Sequence, residues 1–233
     1  MSERGDPFAG ELSRALRRWG MPILPRELHQ LRAHFEAVVE TNRVMNLTRI
    51  TDPVEAAVKH YADSLALLPW TRDRSITVRT ILDVGTGAGF PAVPLAVMQR
   101  EWAVTAIDAT RKKVEFLTRT VAAIGLTNVH VEHAHAAHWR PILRGSGQER
   151  PFDVVVVRAL APLGKCLELC AAFVKPRGWL VAYKTASLDR DELAAAERVL
   201  KKTRMRVEEP FPYELQMGDQ TLHRTLHLFQ RVR

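Results

Sequence analysis

Apolar positions in the first part of the chain recur every three or four residues. Leu12, Ala15, Leu16 and Trp19 form one stripe that stops at Gly20; Leu28, Leu31, Phe35, Val38 and Val39 form a second after "PILP". This spacing puts apolar side chains on one side of a helix, and a glycine after the last of them is a natural helix end. Asp52, Pro53 and Glu55 supply an N-cap, a proline at the first helical position and an acid at the third. The helix they open carries Val54, Val58, Tyr61 and Leu65 on one side, and no strand signal precedes residue 76.

Beyond that point the period shortens. "TVRTILDV", "AVTAIDA", "NVHVEH", "FDVVVVRA" and "GWLVAYKT" predict strands, with helical stretches near 91–99, 111–124, 162–174 and 189–203 between them. Strands separated by helices of this length imply right-handed crossovers and a mostly parallel sheet. The tail "RMRVEEPFPYEL...LHRTLHLFQRV" has no helical period and predicts two closing strands, as a hairpin. The expected organisation is an N-terminal helical segment over 1–70 and an α/β domain over 71–233, with "RGSGQER" (144–150) as a polar surface loop.

Composition bounds the class. A chain of 233 residues, 46% hydrophobic, suits one globular domain with a real core. No apolar run approaches the ~20 residues of a membrane span. "MSERGDPFAG" has no apolar h-region, so export is not expected. Cys166 and Cys170, four apart in a predicted helix, fit buried packing in a reduced, cytoplasmic protein. The net charge of +8 suggests a polyanionic partner.

The chemistry concentrates in "ILDVGTGAGFPAVPLAV", 81 to 97, between the first strand and the next helix. A dinucleotide loop needs G-x-G-x-x-G, but here the third position is Phe90 and the glycines run Gly85, Gly87, Gly89. A phosphate P-loop would end in G-K-[ST], which is absent. Asp83 beside the loop would repel a pyrophosphate and favour a cationic ligand. Asp108, closing the second strand, is placed to accept hydrogen bonds from the ribose hydroxyls of an adenosine. The glycine loop and this second acid form the pattern of class I methyltransferases, whose cofactor is S-adenosyl-L-methionine, cationic and free of phosphate.

No [DN]-P-P-[YFW] signature follows the fourth strand, which disfavours methylation of exocyclic amines. Neither cysteine has the Pro-Cys setting of a pyrimidine-carbon nucleophile. These absences point toward a target atom that is already nucleophilic.

"NLTRITDPVEAAVKHYADSLAL", the glycine stretch, "DATRKKVEFL", "FDVVVVRALAPL" and "LVAYKT" resemble the bacterial RsmG (GidB) family over roughly residues 25 to 190. That resemblance implies a Rossmann-like methyltransferase domain that methylates guanine N7 in 16S ribosomal RNA. Carried over by position, it implies cofactor contacts at Gly85, Phe90, Asp108, Ala109, Thr110, Ala136, Ala137 and Arg158. The family carries Ala-Glu where this chain has Ala136-Ala137. The partners expected are the cofactor and the RNA or small subunit, with no membrane, for a monomer.

His60, Asp63 and Ser64 share a helical face by i, i+3 and i+4 spacing. With Arg158 and Lys184 they are candidates for positioning the substrate, and no general base is expected. Asn46, Arg49, Arg111, Lys112 and Lys113 are candidate RNA contacts, each run equally readable as solvated surface. His130, His133, His135 and His138 alternate in a way that puts neighbours on opposite sides of a strand, so no metal site is expected. Two rival classes remain: a non-catalytic module binding RNA or adenosylmethionine, and a small-molecule methyltransferase.

Overall fold

The computed structural model describes residues 5–140, 151–185 and 190–232. The predicted loop 144–150 lies outside them. Pro7–Arg18 (α1), Pro25–Asn42 (α2) and Pro53–Ala56 (α3) open the chain, and a π-helical turn, Ala57–Ala62, continues α3 before Leu67–Asp73 (α4). Asp52 caps α3 as its sequence position requires, accepting from Glu55 N at 2.8 Å. The π turn leaves no mark in the apolar pattern, because Val58, Tyr61 and Leu65 keep ordinary helical spacing and are all buried. Turns of this kind are frequent at functional sites.

Thr80–Val84 (β1), Ala92–Met98 (α5), Ala103–Asp108 (β2), Arg111–Ala123 (α6), Val129–His133 (β3) and Phe152–Arg158 (β4) follow. Leu163–Cys170 (α7), Val174–Thr185 (β5), Arg190–Leu200 (α8), Met205–Met217 (β6) and Gln220–Arg231 (β7) complete the described elements. The strands form one sheet in the order β3-β2-β1-β4-β5-β7-β6. β1 to β5 pair in parallel, while β7 runs antiparallel to both β5 and β6. The α/β expectation, its helices and its closing hairpin are thus present. β5 begins at Val174, earlier than its apolar run, across an irregularity in its pairing with β4 near Phe152.

β4 is buried on both faces, as the continuous run "VVVV" requires of a central parallel strand. One face of the sheet carries α7 and α8 over Leu82, Val155, Val157 and Leu180. On the other, Phe8, Leu12, Leu31, Phe35 and Tyr61 of the helical segment share a single apolar cluster with Ile81, Val93, Val154 and Val181. Phe8 stacks on Phe35 at 4.9 Å and meets the edge of Tyr61 at 4.8 Å. The helical segment is therefore packed directly onto the sheet. Its connections diverge between β1 and β4, the kind of switch point at whose carboxyl ends ligands bind in open α/β sheets.

Candidate functional site at the switch point of the sheet

The glycine loop leaves β1 at this switch point and is held by its own backbone. Gly85 N and Thr86 N donate to Ile107 O of β2 at 2.8 and 3.1 Å, while Gly89 N and Phe90 N both donate to Thr86 O. Gly87 has φ +58 and donates its N–H to Asp108 Oδ2 at 2.9 Å, a conformation a branched side chain takes only with strain. Gly89 is required by contact as well as by its φ of +103. An added Cβ there would lie 2.8 Å from Leu117 and Val93 carbons and 3.1 Å from His34 Nε2.

Asp108 is held ready for a diol. Its Oδ2 accepts from Gly87 N, and its Oδ1 accepts from Thr110 N at 2.8 Å. Each oxygen keeps a second lone pair, enough for two adjacent ribose hydroxyls. Ala109 and Thr110 are exposed beside it, where the adenosine side of a cofactor would lie. His133 Nε2 contacts Ala109 O at 3.0 Å and braces this turn. Ala134 N donates to Asp108 O, which brings the loop of Ala136 and Ala137 to the same edge. Asp108 and the glycine turn thus come together, and the free lone pairs and exposed turn fit an adenosine-containing group.

Asp83 departs from expectation. It is fully buried beneath the loop, with Oδ2 accepting from Ala92 N at 3.1 Å. Burial pushes its carboxyl up to about 7, against the opposing pull of the Thr86 hydroxyl, the Ala92 amide and the Arg158 charge. Its charge is therefore shared between protonated and ionised forms near neutral pH.

Arg158 also departs. Its guanidinium enters the π turn: Nη2 donates to Lys59 O at 2.6 Å and to His60 Nδ1 at 3.2 Å. Nη1 donates to His60 O and Ser64 Oγ at 3.3 and 3.2 Å, and Nε pairs with Asp63 Oδ2 at 3.1 Å. All five N–H groups have partners, so Arg158 holds the helical segment to the end of β4 rather than presenting a free fork to a ligand. Asp63 and Ser64 lie beneath the site for the same reason, Asp63 also accepting from Tyr213 O–H at 2.7 Å. Lys184 donates to Ala161 O at 3.1 Å and pairs with Glu192 at 2.6 Å, pinning the loop after β4.

His60 alone of that predicted face reaches the glycine loop, its ring stacked on Phe90 at 4.7 Å and 22°. Burial and the adjacent Arg158 charge push its pKa down to about 3, so it is neutral. On the other side of Phe90, His34 of α2 meets the ring edge-on at 5.3 Å. His34 Nε2 faces Ala88 O at 2.9 Å, and Nδ1 faces Tyr61 O–H at 2.7 Å. Because a carbonyl only accepts, Nε2 carries the proton and Nδ1 accepts from Tyr61. Burial lowers the pKa of His34 to about 4. Sequence reasoning missed this residue, although it lies within the stripe of Leu31, Phe35 and Val38.

The model of the family described as rRNA small subunit methyltransferase G (GidB) matches residues 27–214. The chain belongs to this family. Among its relatives, the Lachnoclostridium phytofermentans ribosomal RNA small subunit methyltransferase G is 33% identical over 94% of this chain and 87% of its own. The protein of the same name from Streptococcus agalactiae is 35% identical over 86% of this chain and 82% of its own. The fold is shared with a putative RNA methyltransferase from Pyrococcus horikoshii (TM-score 0.54, 10% identity, 85% of this chain and 99% of that one). It is shared too with a putative methyltransferase from Thermoplasma acidophilum (TM-score 0.52, 15% identity, 70% and 74%).

The candidate RNA contacts lie in two stretches. Asn46 and Arg49 are exposed in the loop between α2 and α3, and Arg111 and Lys112 are exposed at the start of α6, with Lys113 half-buried. No group of three metal-ligating side chains occurs among the described residues. No helix among them is long and apolar enough to cross a membrane.

Proposed function

We propose that this chain transfers a methyl group from S-adenosylmethionine to N7 of a guanine in small-subunit ribosomal RNA. Membership in the family makes it an S-adenosylmethionine-dependent rRNA methyltransferase; the atom and the residue roles are our reading. Gly85, Gly87, Gly89, Phe90, Asp108, Ala109, Thr110 and the Ala136-Ala137 loop hold the cofactor, with Asp83 behind the loop. Asn46, Arg49, Arg111, Lys112 and Lys113 meet RNA phosphates. The helical segment 1–70 supplies the substrate-facing wall of the 71–233 methyltransferase unit, and the enzyme works as a monomer in the cytoplasm.

The observation that carries the N7 reading is the state of His60. Its Nδ1 accepts from Arg158 and its Nε2 is engaged by Thr48 at 2.7 Å, so neither nitrogen is free to take a proton. Asp63 is likewise occupied by Arg158 and Tyr213. A hydroxyl target would need a base there; guanine N7 does not, because its lone pair lies outside the ring sextet and carries no proton. When bound, the cofactor supplies an electrophilic methyl on a sulfonium sulfur. The chain's own contribution is alignment, worth ~7–11 kcal/mol in well-oriented cases.

Labelled methyl transfer tests the substrate class. Purified protein should label isolated small subunits or their RNA, and leave a pool of small metabolites unlabelled. Labelling of the metabolites alone would overturn the reading.

A further inference from the structure

Thr48 precedes Arg49 in the loop between α2 and α3, and its contact with His60 joins that loop to the ring stacked on Phe90. Asn42 Oδ1 accepts from Leu47 N and Thr48 N at 2.8 and 2.9 Å, which fixes the Thr48 backbone. Its Oγ1 is 2.7 Å from His60 Nε2 and accepts from Ile50 N at 3.0 Å. Arginine nitrogens only donate, so the Arg158 contact makes His60 Nδ1 an acceptor and puts the imidazole proton on Nε2. Thr48 Oγ1 therefore accepts twice, from His60 and from Ile50, and both its lone pairs are engaged. Its own proton is left directed away from them, with no acceptor for it among the described residues. Thr48 is half-buried, one stacked ring away from Phe90 and the glycine loop.

We propose that the Thr48 hydroxyl is a substrate-reading residue that donates its hydrogen bond to O6 of the target guanine, with His60 and Arg158 as the residues that position it. The inference rests on the guanine-N7 reading above. O6 and N7 are adjacent acceptors on one edge of guanine, whereas adenine presents an amine donor where guanine presents O6. An ordinary hydroxyl would serve either base, donating to one and accepting from the other. A hydroxyl with both lone pairs engaged can only donate, so it meets adenine donor against donor. The fixed tautomer of His60 thus turns a permissive group into a selective one.

Methylation kinetics on transcripts of the small-subunit RNA made with guanosine or with 6-thioguanosine, whose sulfur is a poor acceptor, test this. Thr48→Val should lower kcat/KM about ten-fold on the guanosine transcript, the size of one lost hydrogen bond to a buried acceptor. It should leave cofactor affinity near that of the parent, and Thr48→Ser, which keeps the acceptor for His60 and Ile50, should restore most of the loss. The unsubstituted protein should lose a similar factor on the thio transcript, while Thr48→Val should barely respond to the sulfur. Equal sensitivity of both proteins to the sulfur, or a Thr48→Val variant as fast as the parent, would overturn the assignment. Nucleoside analysis of the parent's product separates the two readings. A 7-methylguanosine product with either of those kinetic results sinks the Thr48 role alone, whereas a different product sinks the N7 reading and this inference together.

Discussion

Arg158 Nη2 lies 3.2 Å from His60 Nδ1, so the residue that closes β4 also sets the tautomer of a ring stacked on the glycine loop. The same guanidinium reaches Lys59 O, His60 O, Ser64 Oγ and Asp63. A lysine could reach one or two of these atoms but cannot span the set. Arg158→Lys should therefore behave like a loss, costing on the order of 3 kcal/mol of stability by leaving Asp63 without its buried partner. Hydrogen exchange should quicken in the amides of 57–64, and turnover should fall with it. Full recovery of both by lysine would show that charge alone is needed.

His34 gives the fold an acid limit. Its pKa is about 4 in the folded chain, because burial disfavours the charged ring, against 6.5 for an ordinary imidazole. The unfolded chain binds more protons in that window, so this contribution to stability is complete above about pH 6.5 and is lost as pH falls toward 4. The loss amounts to roughly 3 kcal/mol. Urea unfolding across that range should show the slope in the parent protein and a shallower one in His34→Gln. Identical slopes would mean that the Ala88–His34–Tyr61 bridge does not persist in solution.

Asp83 titrates in the opposite sense. Burial raises its carboxyl to about 7, so the folded chain holds the extra proton, and this group's contribution to stability declines as pH rises from about 4 to 7. A cationic ligand favours the ionised form. Cofactor affinity, measured by calorimetry, should accordingly rise as pH passes through about 7, and Asp83→Asn should flatten that profile. An unchanged profile in the variant would remove Asp83 from the cofactor's electrostatics.

Gly87→Val should abolish cofactor binding while the protein stays folded. The substitution forces a branched residue into φ +58 and disturbs the N–H held by Asp108, yet it meets no packed core atom. Gly89→Ala should instead lower the unfolding midpoint, since its Cβ would press on Leu117, Val93 and His34. Equal thermal damage in both variants would contradict this division of roles.

Sheet, crossovers and closing hairpin could be read from the sequence because each rests on local periodicity and turn chemistry. The glycine turn and its link to Asp108 could be placed for a similar reason: their spacing along one βαβ unit sets their geometry. What escaped was polar contact over long separations. Arg158 lies 94 to 99 residues from the atoms it binds, and nothing in "VVVVRA" says whether that arginine faces a ligand or another helix. His34 and Thr48 were hidden in the same way, one as a polar residue on an apolar stripe and the other as an unremarkable loop hydroxyl. The π turn was invisible because a widened helix keeps its apolar spacing.

The most direct measurement is nucleoside mass analysis of small-subunit RNA, drawn from cells lacking this activity and incubated with the purified protein and S-adenosylmethionine. The product should be 7-methylguanosine, with a single-turnover rate that shows no inflection from a side-chain base when cofactor and RNA are saturating. A methyl group on an exocyclic amine, a ribose or a ring carbon, or a rate that requires a titrating base removed by His60→Ala, would contradict the account.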